Sequence, residues 1–251
     1  MSAVMTLVER ELLRFFRQRN RVAGAIIQPV IFWILFSAGF KNSFSPGGTG
    51  TYPQFLLPGM ASLIVLFTAI FSTISIIRDR GEGFLQGVLV APVSRLSIVW
   101  GKVLGGTILA VLQASLFLLL GAVVGHTMGP LELLASIGVL GLMAVGLTGL
   151  GFLIAWPMDS IQGYHAIMSV FLFPMWLLSG AIFPIDNLDT WFGVLVYANP
   201  LTYGVAALRH AAGLGGNLSP LLCLSVTAGF AALMLVLCAR SARRPAKGDL
   251  R

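Results

Sequence analysis

Two side chains of the sequence have the types needed for hydrolysis, but their spacing argues against a hydrolytic site. Ser179 stands beside a glycine, and His165 lies fourteen residues earlier. On one helix this separation is about 21 Å, so a serine–histidine contact would require the chain to fold back. The cysteines, Cys223 and Cys238, are fifteen residues apart, about 22 Å on one helix, and cannot bridge each other. We expect two small buried thiols and no redox chemistry.

Residues that could power transport are also missing from the apolar segments. Ion-driven carriers usually need carboxylates or a proton relay inside the membrane. Glu132 and Asp159 fall only at segment edges, and His165 lies near the inner end of another segment. The Gly101-Lys102 pair lacks a following Ser or Thr and a glycine at the required spacing, so it forms no P-loop. Any transport would therefore draw its energy from outside this chain.

Composition places the chain in a membrane. Of its 251 residues, 57% are hydrophobic and 10% are charged, against about 25% charged residues in soluble domains, and the mean hydropathy is +0.91. Too few polar groups are available to cover a soluble surface, and the chain is too apolar for disorder. We predict an all-α membrane protein with a single domain over residues 1–251. Six segments have the length of spanning helices: Val22–Phe40, Leu56–Ile77, Val103–Val124, Leu131–Trp156, Gly163–Phe183 and Leu218–Ala239.

The basic residues are divided unequally between the two sides of these segments. Residues 1–21, the connection 78–102 and the tail 240–251 hold fourteen of the sixteen Lys and Arg residues. The opposite connections hold only Lys41 and Arg209. Because basic loops stay in the cytoplasm, this split predicts that both termini are cytoplasmic. It also accounts for the net charge of +7 without a nucleic-acid partner.

The first 21 residues have the pattern of an amphipathic helix. A basic stripe and an apolar stripe follow helical spacing on roughly opposite sides. Such a helix lies flat at the membrane interface, with its apolar face in lipid and its basic face toward phosphates or a cytoplasmic partner. Simple topogenic charge before the first span is the alternative. The basic stripe is Arg10, Arg14, Arg17 and Arg21, and the apolar stripe is Val4, Val8, Leu12 and Phe15.

The connection between the second and third predicted spans, residues 78–102, is the longest cytoplasmic one inside the bundle. Phe84, Leu85, Val88 and Leu89 fit one face of a short helix, and Pro92 stops it. An apolar face between charged ends could fill a groove on another protein. A solvated loop with ordinary positive-inside residues is the alternative.

The region after the fifth predicted span is too apolar for a solvated loop and too broken for a span. Pro174 is expected to interrupt a helix and Pro184 to end one, and Asn199-Pro200 marks a turn. We therefore predict short half-inserted helices over residues 184–217, between the fifth and sixth spans, buried in protein or lining a cavity.

Together these segments resemble the permease subunits of type-2 ABC exporters, closest to the drug-resistance and nodulation-factor group, and the likeness covers nearly the whole chain in order. The N-terminal helix resembles the family's connecting helix. The cytoplasmic motifs resemble its coupling loop: Arg78-Asp79-Arg80-Gly81, Leu89-Val90-Ala91-Pro92-Val93-Ser94-Arg95 and Gly101-Lys102. Others resemble its fifth-span signature: Leu178-Ser179-Gly180, Phe183-Pro184 and Asn199-Pro200-Leu201-Thr202-Tyr203, followed by Arg209. Ala206, where an acidic residue is common, and Thr190, near a usual proline, depart from the pattern.

The resemblance implies a mechanism and partners. Two permeases, identical or related, would pair in a bacterial inner membrane, and each would dock one cytoplasmic ATPase subunit through the connecting helix and the coupling loop. ATP and Mg²⁺ would sit on the ATPase, leaving this chain without a cofactor or catalytic role. Closure of the ATPase pair would rearrange the first, second and fifth spans around a dimer-interface pathway, with an outer gate after Phe183. The substrate would be hydrophobic or amphipathic: a drug, lipid or glycolipid.

Other functions remain open at this stage. An ion-coupled secondary carrier would work without an ATPase, whereas an exporter permease should travel with one. An intramembrane enzyme and a membrane scaffold are further alternatives. His165 also has two interpretations, because it could face the pathway or its cytoplasmic entrance, or hydrogen-bond the preceding turn beside Tyr164.

Overall fold

A computed structural model describes residues 3–17, 19–40, 51–83, 94–185 and 188–243, and all regular structure within these ranges is helical. The expected all-α class is therefore confirmed. A 3₁₀ segment, Leu119–Val124, directly follows the helix Arg95–Leu118. The helices of the described residues are α1 (Ala3–Arg17), α2 (Arg19–Phe40), α3 (Tyr52–Gly81), α4 (Arg95–Leu118), α5 (Pro130–Ala155), α6 (Ile161–Leu177), α7 (Thr190–Ala198), α8 (Pro200–Ala211) and α9 (Pro220–Arg243).

Helix α3 forms the centre of the bundle. It packs against α2, α4, α5, α6 and α8, and its side chains at Leu56, Leu63 and Leu66 are fully buried. A helix that is apolar around its circumference is typical of such an interior position. Helix α9 closes the far side of the bundle by packing on α5 and α8, and α1 packs mainly on α4.

Among the described residues, four helices are long and apolar enough to cross a membrane: α3, Arg95–Val124, α5, and Pro220–Ala242 within α9. Helices α7 and α8 meet at a bend of 78° and add a fifth crossing if the bent pair counts as one span. The predicted first span corresponds to the 22-residue helix α2, whose fully described apolar stretch is Ile26–Phe40. The six-span count stays a prediction.

The outer surface of the bundle is apolar, as a lipid environment requires. Large side chains such as Leu116, Leu131, Val170 and Leu221 are exposed on four different helices. In water, such patches would mark interaction sites or aggregation liabilities. Around a membrane bundle they face hydrocarbon at no cost.

Helix α6 differs from the predicted fifth span in two ways. The expected interruption at Pro174 is wrong, because the helix continues past this residue and the Pro174 carbonyl accepts a hydrogen bond from the Leu178 N–H at 2.9 Å. The helix ends at Leu177, before the predicted boundary at Phe183. The chain turns there because Gly180 adopts φ +70°, which glycine reaches without steric penalty.

Candidate functional site

A cluster of charged side chains joins three helices at the end of the bundle that carries α1. Asp79, in the last turn of α3, accepts hydrogen bonds from Arg10 at 2.7 and 3.0 Å and from Arg14 at 2.8 Å. Lys102, on α4, donates to Asp79 at 2.6 Å and to Glu11 at 2.6 Å. We call these five residues the charge cluster. It connects α1 to both α3 and α4.

Close packing of α1 on α4 brings these groups together. A Cβ added at Gly101 would lie 2.6 Å from the Leu7 Cβ, and one at Gly105 would lie 3.0 Å from the Glu11 Cβ. The absence of side chains at the two glycines lets the helices approach until Glu11 reaches Lys102. The pairing thus depends on small residues spaced one helical turn apart on α4.

Asp79, Glu11 and Lys102 are buried, Arg10 and Arg14 are partly exposed, and Lys102 is fully hydrogen-bonded. Its ammonium group is 4% exposed and donates a third hydrogen bond to Ser75 at 2.9 Å, which uses all three of its donors. A buried ion pair is tolerated only when its hydrogen-bonding capacity is met in this way. At the rim, the hydrogen bonds from Arg10 to Asp79 raise the pKa of the guanidinium above its ordinary value.

The expected orientation of α1 is therefore wrong in part. Val8 and Phe15, expected in lipid, are buried in the bundle, and the partly exposed Arg10 and Arg14 bond to Asp79. Only Arg17 of the described basic stripe is exposed. The prediction fails because the Asp79 carboxylate offers these arginines a buried partner.

The predicted coupling loop is shorter than residues 78–102. Residues 78–81 form the last turn of α3, so Arg78, Arg80 and Gly81 are helical, and α4 already begins at Arg95. Ser94 caps α4 by accepting a hydrogen bond from the Ser97 N–H at 3.2 Å. The predicted apolar face and its stop lie outside the described residues: Phe84, Leu85, Val88, Leu89 and Pro92.

Two of the predicted coupling arginines cap neighbouring helices. Arg80 donates to the Trp156 and Met158 carbonyls at 2.5 and 3.0 Å, at the end of α5. Arg95 donates to the Ala242 carbonyl at 3.3 Å, near the end of α9. Cations at helix C-termini satisfy carbonyls that lack partners within the helix. These side chains tie the α1 end of the bundle together.

The outward side of α1 carries a groove of about 560 Å³ that combines charge with an apolar centre. Leu13 is 52% exposed there, and Arg10, Arg14 and Arg17 surround it with Glu9 and Thr6. An exposed leucine ringed by arginines has the composition of a protein docking surface. Arg10 and Arg14 also belong to the charge cluster, so the groove adjoins it.

The residues of the fifth-span signature meet around the turn after α6. Ser179 bonds the Trp176 carbonyl at 2.6 Å, and the Trp176 indole donates to the Gly59 carbonyl of α3 at 2.9 Å. A Cβ added at Gly59 would overlap the Ala181 carbonyl, so the turn lies directly on the α3 backbone. Gly180 makes this turn possible.

Arg209 of α8 fixes the same turn from the other side. Its guanidinium donates to the Gly180 carbonyl at 2.6 Å and lies over the Phe55 ring with 4.0 Å to the ring centroid. Phe183 packs on Phe192 of α7, and half-buried Pro184 follows it. The signature thus forms a connected joint between α3, α6, α7 and α8.

Asn199 and Pro200 shape the bend between α7 and α8. The Asn199 side chain accepts from the Leu201 N–H at 3.0 Å and donates to the Met175 carbonyl at 2.6 Å, while Pro200 occupies the first turn of α8. Tyr203 donates to the Tyr197 carbonyl at 3.0 Å. The predicted turn at Asn199-Pro200 is confirmed, as are short helices between residues 184 and 217.

Replacing Asn199 with alanine should destabilise the protein by about 1–3 kcal/mol, because both the helix cap and the bond to Met175 are lost. Asn199→Ser is the matched control, since serine keeps the cap alone. The unfolding temperature of purified Asn199→Ser should lie between those of Asn199→Ala and the native protein. An unfolding temperature of Asn199→Ser equal to that of the native protein would contradict a role of the Met175 bond, and one equal to that of Asn199→Ala would contradict a role of the cap.

Three residues of these sites were not predicted as site residues: Glu11, Gly59 and Trp176. Glu11 carried a signal, because its spacing from Val8 and Phe15 puts a carboxylate on the apolar face of α1. Gly59 and Trp176 gave none, since their contacts join distant segments.

His165 is exposed and its ring lies 5.6 Å from that of Phe71; within the described residues it forms no hydrogen bond to the preceding turn.

Sequence comparison with known proteins shows which family the chain belongs to. The family profile described as ABC-2 type transporter matches residues 2–212. The protein ycf38 of Cyanophora paradoxa, which carries a transport-permease name, is 29% identical over 82% of this chain and 72% of its own. The daunorubicin resistance ABC transporter permease protein DrrB1 of Streptomyces coeruleorubidus is 24% identical over 95% of this chain and 85% of its own. Nodulation protein J of Rhizobium leguminosarum bv. viciae is 25% identical over 75% of this chain and 73% of its own. The resemblance to drug-resistance and nodulation permeases is thereby confirmed, and the chain belongs to the ABC-2 type transporter family.

Proposed function

We propose that this chain is the transmembrane subunit of an ATP-driven exporter for a hydrophobic or amphipathic substrate, with ATP hydrolysed by a separate ATPase subunit. The observation that carries this proposal is the charge cluster. In this proposal α1 acts as a lever, with its groove receiving the ATPase and its charged side chains bonded to α3 and α4.

The cluster suits the transmission of force. Its ion pairs are short and largely shielded from water, so they resist separation more than exposed pairs would. A displacement of α1 by a docked ATPase would move Asp79 and Lys102 with it. Because α3 lies at the centre of the bundle, the movement would reach α2, α6 and α8.

The remaining architecture follows from the family and the charge distribution. Two copies would form a pathway at their interface in a bacterial inner membrane, with six spans each and both termini in the cytoplasm. Two ATPase subunits, carrying ATP and Mg²⁺, would dock at the α1 end. The joint of α6, α7 and α8 would form the outer gate at the opposite end.

The geometry gives less support to an ion-coupled carrier. A carrier needs a carboxylate that is available to the ion. Asp79 and Glu11 are buried carboxylates, but Lys102 and the arginines of the cluster already neutralise them. Among the described residues, this pairing supports an energy source outside the chain.

Affinity purification of the tagged chain from its native membrane in mild detergent tests the proposal. We expect a soluble P-loop ATPase in equal amount, identified by mass spectrometry. Replacing residues 81–89 with a Gly/Ser linker should release it while the permease stays folded and inserted. The control Val123→Ser, at an exposed position far along α4, should retain it. A stable chain that never brings down an ATPase in several detergents would overturn the exporter and favour the carrier.

A further inference from the structure

A cavity of about 380 Å³ opens between α1, α2, α3 and α6, apart from the charge cluster and the outer joint. Phe15, Phe67, Phe71 and Ile74 make most of its described wall apolar. The Phe67 and Phe71 rings are stacked, with centroids 5.6 Å apart. Such a wall accommodates a flexible hydrocarbon chain.

One end of this cavity carries a positive charge. Arg78 lines it, and within the described residues its side chain makes neither an ion pair nor a hydrogen bond. The adjacent carboxylate, Asp79, faces the other side of α3 and is engaged by the charge cluster. Because the described lining contains no carboxylate, the cavity favours an acidic head group over a basic one.

The lining residues on α3 span a distance close to one leaflet of a membrane. Phe67, Phe71, Ile74 and Arg78 follow each other along one face of α3 at helical spacing. From Phe67 to Arg78 the helix rises about 16 Å, which is about half of the 30 Å hydrocarbon core. A molecule with its head at Arg78 would extend its chain to the middle of the bilayer.

We propose that this cavity binds an anionic amphiphile from the leaflet on the α1 side, with its acidic head on Arg78 and its acyl chain along Phe67 and Phe71. The inference that this amphiphile represents the transported substrate class rests on the proposed export function. As a binding site, it stands on the cavity alone. It narrows the substrate from any amphipathic compound to one with an acidic head.

Photo-crosslinking in lipid nanodiscs tests the site on the full-length chain without an ATPase. The probes are a palmitic acid with a diazirine in its chain and the methyl ester of the same acid, at equal mole fraction. Peptides spanning residues 67–78 should be labelled about tenfold more by the acid, as expected for a charge-assisted hydrogen bond. Excess unlabelled palmitate should displace the acid, and free acetate should not.

Matched variants distinguish the binding of the acidic head at Arg78 from the binding of the acyl chain in the apolar part of the cavity. Arg78→Gln should remove the preference for the acid, whereas Arg240→Gln, an exposed arginine on α9, should leave it intact. Gly24→Leu should block labelling by filling the cavity, since a Cβ at Gly24 meets nothing within 4 Å. Gly39→Leu, with equally open space on the same helix, should not.

The inference is overturned if the ester labels this region as strongly as the acid, if acetate displaces the acid, or if Arg240→Gln reduces labelling as much as Arg78→Gln does. These outcomes are independent of ATPase binding. An ATPase that co-purifies without acid-selective labelling would leave the exporter intact and remove only the proposed substrate class.

Discussion

Replacing Asp79 with asparagine will loosen α1 from the rest of the bundle. The change removes the negative charge shared by Arg10, Arg14 and Lys102 and leaves excess positive charge around a buried site. Breaking a buried ion pair on one side costs about 3–5 kcal/mol. If α1 opens locally, amide exchange of residues 3–17 should accelerate by about two to four orders of magnitude.

The control for this result is a substitution of Glu82, three residues after Asp79. Glu82 has the same charge at the same end of α3, but it is 57% exposed and its pair with Arg14 is 3.6 Å long. Exposed pairs contribute about 0–1 kcal/mol, so Glu82→Gln should leave the exchange of α1 nearly unchanged. Both variants are compared in the same nanodiscs.

A double-mutant cycle distinguishes the cluster from separate surface contacts. Lys102→Met alone leaves Glu11 and Asp79 without their shared cation, whereas combining it with Asp79→Asn removes one charge of each sign. The double variant should therefore lose less stability than the sum of the single changes. Strict additivity, or an Asp79→Asn chain whose α1 exchanges like that of Glu82→Gln, would contradict the lever.

Substituting Gly59 with alanine should have the second large effect, at the opposite end of α3. The added Cβ would overlap the Ala181 carbonyl and push the turn after α6 away from α3. The displacement would also strain the Trp176 bond to Gly59. Overpacking of this kind costs about 3 kcal/mol, and for a chain of this size each kcal/mol lowers the unfolding temperature by about 2–4 °C.

Thermal unfolding of purified protein measures this effect against a matched glycine. Gly138, on α5, has nothing within 4 Å of an added Cβ. Gly138→Ala should be neutral or slightly stabilising, because alanine favours helix by about 1 kcal/mol over glycine. If Gly59→Ala unfolds at the same temperature as Gly138→Ala, the close approach of the turn to α3 is not real.

Much of the fold could be predicted because it follows from hydropathy and local chemistry. The apolar segments around α3, α4, α5 and α9 exceed the length a span requires, and Asn199-Pro200 has the side chains that a helix start uses. The continuation of α6 past Pro174 was missed, since a proline near a helix end loses only one hydrogen bond within the helix. Its end at Leu177 depends on the turn at Gly180.

Individual residues of the charge cluster could be predicted from the sequence, but not the ion pairs between them. Motif resemblance marked Asp79, Lys102 and the arginines of α1 as coupling residues, but their mutual pairing depends on tertiary contacts. Glu11 and Lys102 are 91 positions apart, and they meet because α1 packs on the glycines of α4. The helical pattern of α1 could not reveal which face is buried, because arginine and apolar side chains both find partners inside this bundle.

The most direct test of the exporter is to ask what touches the outward groove of α1. A photoreactive amino acid placed at Leu13, between the arginines of the groove, should crosslink to a P-loop ATPase subunit in native membranes. The same residue placed at exposed Val123, far along α4, should not. Capture of an ATPase at Leu13 alone is the predicted result. Crosslinking of Leu13 only to lipid, in membranes where the chain is folded and active, would contradict the account.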